Sequence, residues 1–330
     1  MPISPLAKVC FMDPLDKKIL WELHEDCRMS YQTLSNILGI SANAVKKRVA
    51  KLIDTGVIHS FTAMLSLDYL KSEVLYGLVY TDGEENEEEF IQRLGSSPMV
   101  HVVGTIASGG GGAYNFFAQY IGSEGLSELG RFVRTMPHVT RTEMFPLLIP
   151  KDHRGVQALP VRGREEGGEF NRTELKVLHW LVDDSRMSIS EVASRSGLTA
   201  RRVGRTIEQL KNKGVMFSVR WNLSAGGYDQ IMIRTLIDEK KMAITEVAEW
   251  VREKFPGQFW LPYISADEPL VFLSFVVKNM QEAEDIAQTL KAANFVKSAT
   301  VSVRFSETKF PWMGRIMIKD MVREAGLYDS

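Results

Sequence analysis

Apolar residues along the chain recur first at helical intervals, then at alternate positions, and this order is written twice in 330 residues. In the first pass Ile19, Leu20 and Leu23 lay an apolar stripe on one helix, and Tyr31 to Leu38 form a second that opens at the N-cap candidate Ser30. Gly39 supplies a turn. A third helix opens at the N-cap candidate Ser41 and carries Val45, Val49, Leu52 and Ile53 inward, leaving its opposite face polar. Gly56 falls just past the helix end, where a left-handed residue is wanted, and Val57 to Thr62 alternate as a strand that fits a wing. Two helices joined by a short Gly-bearing turn, a third helix and a wing predict a winged helix-turn-helix.

The second pass keeps the same register. Arg28-Met29-Ser30 returns as Arg186-Met187-Ser188, an offset of 158 (28 to 186), which holds without a gap over about forty positions. It pairs Leu20 with Leu178, Gly39 with Gly197, Val45 with Val203, Leu52 with Leu210 and Gly56-Val57 with Gly214-Val215. Downstream of each unit the pattern becomes strand, helix, strand, strand, helix, strand. In the first half these elements fall at Val74 to Thr81, Glu87 to Leu94, Val100 to Ala107, Tyr114 to Ile121, Leu126 to Arg134 and Val139 to Leu148. In the second they fall at Ile231 to Ile237, Ala243 to Phe255, Phe259 to Ser265, Leu270 to Val277, Ala283 to Ala293 and Val296 to Phe305. The predicted fold class is α+β, a tandem duplication of a winged helix-turn-helix followed by a ferredoxin-like βαββαβ sandwich. The expected segments are 13–66 and 72–150, a charged and Gly/Pro-rich linker at 151–170, then 171–224 and 228–308, and a helical tail at 309–330 whose Ile316, Met317, Met321 and Val322 form a docking stripe.

Composition narrows the function. Lys and Arg number 40 against 41 Asp and Glu, so a polyanion partner requires a local basic surface. Cys10 and Cys27 have no Cys/His cluster around them, which argues against a zinc site, a disulfide framework and any metal or cofactor. No stretch of about 18 apolar residues occurs, and the expectation is a soluble, cytoplasmic protein with no membrane partner. His101, His138, Trp250, Trp260 and Trp312 read as packing or surface residues, and Cys27 as an inert thiol.

The third helices carry the chemistry for double-stranded DNA. A groove-sized helix needs outward donors for phosphates and base edges. The first offers Asn43, Lys46, Lys47, Arg48 and Lys51; the second offers Arg201, Arg202, Arg205 and Lys211, with Glu208 opposed. The caps Ser41 and Thr199 add hydroxyls able to donate to a phosphate. The acidic run Glu84, Glu85, Glu87, Glu88, Glu89 lies in a different segment.

On Asp16-Lys-Lys-Ile-Leu, Leu38-Gly-Ile-Ser, Val45-Lys-Lys-Arg-Val-Ala-Lys-Leu, Thr55-Gly-Val-Ile-His and the Val103-Gly104 strand end, the chain resembles the Lrp/AsnC, or feast/famine, regulators as two fused copies. The resemblance implies a transcriptional regulator with a dimerising, effector-sensing second domain, and a homodimer or higher homo-oligomer. It places an amino-acid-like effector near Gly104, Ser108, Gly109, Gly110, Gly111 and Gly112, although Thr105 stands where the family usually has an acidic residue. Two alternatives accompany it. One is an enzyme similar to siroheme decarboxylases, whose Tyr-Asn strand motif Tyr114-Asn115-Phe116-Phe117 resembles, with Gly and Ala where their preceding histidine usually stands. The other is a dimerising scaffold with one DNA-reading half.

Overall fold

The computed structural model describes residues 13–107, 112–148 and 168–327. The first half runs α1 (Pro14–Glu25), α2 (Tyr31–Leu38), α3 (Ala42–Asp54), β1 (Ile58–Leu65), α4 (Leu67–Leu70), β2 (Glu73–Thr81), α5 (Glu87–Gly95), β3 (Val100–Ile106), β4 (Ala113–Tyr120), α6 (Gly122–Arg134) and β5 (Val139–Leu148). The second runs α7 (Arg172–Leu181), α8 (Ile189–Ser196), α9 (Ala200–Asn212), β6 (Val215–Trp221), β7 (Asp229–Ile237), α10 (Val247–Lys254), β8 (Phe259–Ser265), β9 (Leu270–Val277), α11 (Met280–Ala292), β10 (Val296–Lys309) and α12 (Met313–Glu324). Several elements differ from the pattern reading: the helices expected from Leu126 and Ala283 begin earlier, at Gly122 and Met280, and the short helix Leu67–Leu70 is not expected from it. The helix expected from Ala243 begins at Val247, because the backbone before it is spent in turns such as Glu246 N–H to the Ala243 carbonyl. The strand expected to end at Phe305 continues to Lys309, and its added residues pair with β3.

These elements gather into two compact units, each drawn from both halves of the chain. One holds the described residues of Leu15–Ser72, Leu159–Asn222 and Pro311–Ser330; the other holds those of Glu73–Ala158 and Leu223–Phe310.

In the helical unit the two helix-turn-helix copies form locally as their sequences dictate. Ser30 and Ser188 accept from the backbones of Thr33 and Glu191 to start the second helix of each copy, and Gly39 and Gly197 end it at φ 67° and 68°. That left-handed conformation is cheap for glycine, so α3 and α9 turn away at once. Val45, Val49 and Leu52, and Val203, Ile207 and Leu210, are buried as their spacing requires, whereas Ile53, expected inward with them, is exposed.

The strand read as a wing does not fold back on its own copy: β1 pairs antiparallel with β6. Thr62 faces Ser218, and the surrounding pairs run symmetrically outward (Phe61 with Val219, Ala63 with Phe217). A local two-fold axis therefore passes through Thr62 and Ser218, whose hydroxyls donate to the equivalent carbonyls of Val182 and His24, and the two copies make an isologous contact within one chain. Both sides repeat the same bonds. Arg28 donates to the carbonyls of Ser185 and Met187 and Arg186 donates to that of Cys27; Cys27 N–H bonds Phe217 and Ser185 N–H bonds Phe61. Trp21 meets Trp221 edge to face at 5.3 Å.

The tail docks on this unit through Ile318, Val322 and Leu327, which join a core with Leu65, Leu178 and Leu181. Met317, expected on the docking stripe, is exposed. Gly314 lies so close to β1 that an added Cβ would stand 2.6 Å from the Leu65 carbonyl oxygen.

In the sheet unit each half has the ferredoxin-like strand order, β3-β4-β2-β5 and β8-β9-β7-β10, with helices on one face. Ladders β10–β3 and β5–β8 join the halves edge to edge into a closed eight-stranded barrel. Closure leaves neither sheet with a bare edge. Alternation then assigns the faces: Leu75 and Val79 pack under α5 and α6, whereas Tyr76, Leu78 and Tyr80 point into the barrel.

Candidate nucleic-acid interface

On α3 the cap hydroxyl of Ser41 accepts from Ala44 N at 3.2 Å, and on α9 that of Thr199 accepts from Arg202 N at 3.2 Å. Each hydroxyl keeps its own proton for an outside acceptor. The side chains of Asn43, Lys46, Lys47 and Lys51 are exposed along α3, and those of Arg201, Arg202 and Arg205 along α9. The structure thus places seven of the candidate residues on the outer faces of two helices related by the local two-fold axis.

Arg48 and Lys211 are held differently. Arg48 turns inward to Asp16 at 2.7 Å, a carboxylate only 3% exposed. The equivalent of Arg48 is the buried Thr206, and the equivalent of Asp16 is the buried Glu174, which takes its cation from Lys213 at 2.8 Å. Each copy must neutralise a carboxylate on its first helix, since a lone buried charge is costly. One copy draws that cation from its third helix and the other from the turn beyond it. Lys211 bonds Asp26 of the opposite copy at 2.8 Å and Glu208 at 3.4 Å. Burial pulls its ammonium down, but Asp26 and then Glu208 outweigh this and raise it above the ordinary lysine range.

The expected effector residues are divided. Positions 108–111 lie outside the described residues. Gly104 is crowded, since an added Cβ would stand 2.6 Å from Asn115 Oδ1 and 3.0 Å from the Ser306 carbonyl. Gly112 accepts from Thr81 N–H and lies against Glu85, whose Oε1 receives Tyr114 OH and Thr81 OH, each at 2.7 Å.

Pattern reading missed a cavity of about 670 Å³ in the barrel, with Tyr76, Met232 and Phe272 deep in it and Thr300 and Ser302 along one wall. Arg141 and Arg234 line it and share a single carboxylate: Glu143 Oε1 is 3.3 Å from Arg141 and Oε2 is 2.6 Å from Arg234. Their guanidinium groups sit over Tyr80 and Phe145. Glu268 also lines the cavity, so the two arginines are balanced by two carboxylates, and what the site offers is guanidinium donors beside an aromatic floor. The signal was present in the alternation, because Arg141 and Glu143 lie on one face of β5.

His101 is buried near Phe117, His138 is exposed beside Asp82, and Trp250 packs on Phe295. Among the described residues no helix is long and apolar enough to cross a membrane.

Two three-helix units, each with an exposed basic third helix, define a winged helix-turn-helix DNA-binding protein. A family model described as winged helix-turn-helix DNA-binding matches the chain at residues 12–59 and again at 170–215. An uncharacterised HTH-type transcriptional regulator of Pyrococcus furiosus is 34% identical over 123 residues, 37% of this chain and 79% of the relative. The leucine-responsive regulatory protein of Rhizobium meliloti is 31% identical over 136 residues, 40% of this chain and 82% of the relative. The chain belongs to the Lrp/AsnC family of HTH-type transcriptional regulators. In fold it is similar to the siroheme decarboxylase NirDL, with a TM-score of 0.57 over 95% of this chain and 100% of that one, at 14% identity.

Proposed function

We propose that this protein is a transcriptional regulator that grips double-stranded DNA with α3 and α9, the DNA-contacting residues being Ser41, Asn43, Lys46, Lys47, Lys51, Thr199, Arg201, Arg202 and Arg205. The observation that carries the reading is the pairing of two outward basic helices about one local axis in a single chain. A two-fold pair can set its helices in successive major grooves on one side of a duplex, about one helical turn apart. Arg48 and Lys211 act by holding α3 on its own first helix and α9 on the opposite copy. One chain supplies a complete pair of heads, and the expected homodimer supplies two. Gel shifts with a genomic fragment library test this: binding by the full chain and its loss in Lys46→Ala/Lys47→Ala/Arg201→Ala/Arg202→Ala support the reading, and equal binding by that variant refutes it.

The small-molecule arm of the reading falls in the barrel, where the forked guanidinium donors of Arg141 and Arg234 suit a carboxylate-bearing effector. A change in DNA affinity on adding a mixture of amino and keto acids, abolished by Arg141→Gln, supports it. The function is binding, not catalysis. The full-length likeness of fold to NirDL makes a tetrapyrrole reaction the competing account, and the visible absorption spectrum of the protein mixed with iron uroporphyrin tests it: an unperturbed spectrum favours the regulator.

A further inference from the structure

We infer that the DNA site read by this chain is not a palindrome: its two half-sites differ in sequence, and the protein binds them in one orientation only. The inference rests on the DNA-binding reading above and specifies its target.

A homodimer presents the same side chains twice, so its two-fold symmetry is answered by a palindrome. Here the frame keeps that symmetry while the reading faces do not. Positions that build the frame are retained between the copies: Val45 and Val203, Val49 and Ile207, Leu52 and Leu210, the caps Ser41 and Thr199, the turns Gly39 and Gly197, and the crossing arginines Arg28 and Arg186. Along the outer faces the equivalent pairs are Asn43 and Arg201, Ala44 and Arg202, Lys46 and Gly204, Ala50 and Glu208, and Lys51 and Gln209. Only Lys47 and Arg205 keep a cation at the same place. The apolar frame is therefore kept while the outer faces differ, and the axis through Thr62 and Ser218 carries two different surfaces into the two grooves.

The chemistry of each face assigns its half-site. On α9 three exposed guanidinium groups present forked donors suited to the O6 and N7 atoms of guanine, and Glu208 can accept from cytosine N4. Gly204 removes a side chain where α3 has Lys46, with nothing nearer to an added Cβ than Ile189 Cδ1 at 3.9 Å. Bare backbone there lets the helix lie closer to the groove floor. On α3 three lysines act as point charges toward phosphates, and the Asn43 amide matches the N6 and N7 edge of adenine. The α9 half-site is G/C-dependent and sharply read. The α3 half-site is read more loosely, around adenine.

The full chain is used to select duplexes from a random pool, and the recovered site is then rebuilt with each half-site duplicated as a palindrome. The expected result is two unlike half-sites about one turn apart, with both palindromes bound at least tenfold more weakly than the natural pairing. Converting the α9 face to that of α3 (Arg201→Asn, Arg202→Ala, Gly204→Lys, Arg205→Lys, Glu208→Ala, Gln209→Lys) shifts the preference to the α3 palindrome. Recovery of a palindrome by the unaltered chain overturns the inference and leaves the DNA-binding reading standing. A pool that does not enrich at all overturns both.

Discussion

Gly314→Ala and Gly204→Ala are the same substitution in two helices, and the structure assigns them opposite signs. Both glycines lie in helices at ordinary negative φ, so intrinsic propensity alone favours alanine by up to about 1 kcal/mol at each. At Gly204, in the middle of α9, the nearest atom to the new methyl is a side-chain carbon at 3.9 Å, ordinary contact, and the propensity gain is kept. At Gly314, in the first turn of α12, the methyl would meet the Leu65 carbonyl oxygen at 2.6 Å and nitrogen at 2.7 Å. Those are backbone atoms of a strand already paired to β6, and they cannot swing aside as a side chain can. The helix must lift by several tenths of an ångström, an overpacking cost of about 1–3 kcal/mol that exceeds the propensity gain. Complete undocking would expose Ile318, Val322 and Leu327 at about 1.5–3 kcal/mol each, so α12 stays attached but strained. Hydrogen exchange of the full chain reads this directly: with the propensity gain subtracted, amides of Met313–Glu324 exchange up to about thirtyfold faster in Gly314→Ala, while those of α9 slow in Gly204→Ala. Slower exchange of α12 in Gly314→Ala would refute the packing argument.

Other outcomes follow from the same contacts. Arg28→Met removes two charge-assisted bonds to carbonyls across the local axis and destabilises the helical unit by about 3–6 kcal/mol in urea titrations, each such bond contributing about 1.5–3; a change below about 0.5 kcal/mol contradicts the role given to the crossing arginines. The Cys27 thiol is pushed up to about 12, chiefly by burial, so mass spectrometry finds it unalkylated at pH 8 in the folded protein and alkylated in urea; rapid native labelling refutes this. At Asp183 burial alone would raise the carboxyl, but Lys319 and Arg315 outweigh it and hold it below the ordinary aspartate range. A depressed acid contributes stability that is complete above its unfolded value and disappears as pH falls through its folded one. Exchange of α12 is therefore flat with pH above the usual carboxylate range, after correction for intrinsic rates, and quickens in acid, and Asp183→Asn removes the dependence.

The parts legible in the sequence are those where one residue meets its own neighbourhood. Ser30, Gly39 and Ser41 announce helix ends because capping is local, and Val45 to Leu52 announce a buried face because helical period is local. The repeat doubled each signal. Partnership between distant segments was not legible in this way. Alternation in Val57 to Thr62 says that a strand exists and nothing about whether its partner is a wing hairpin or the matching strand of the second copy, and only the register through Thr62 and Ser218 decides. Likewise βαββαβ order foretells two sheets, but their closure depends on β10 extending to Lys309 to reach β3. Basic residues on α3 read alike from sequence, yet Arg48 is drawn inward because Asp16 is buried beside it, a fact that belongs to packing. At the cavity, alternation places Arg141 and Glu143 on one face of β5, but Arg234 joins them only once the barrel has closed.

The dependence of DNA affinity on salt tests the central claim most directly. Six exposed cations on α3 and α9 (Lys46, Lys47, Lys51, Arg201, Arg202 and Arg205) give a slope of log affinity against log salt of about −5 if each neutralises one phosphate, at about −0.9 per contact. Replacing the three lysines of α3 by alanine flattens that slope to about −3. A slope unchanged by the substitution, or close to zero in the unaltered chain, contradicts the account.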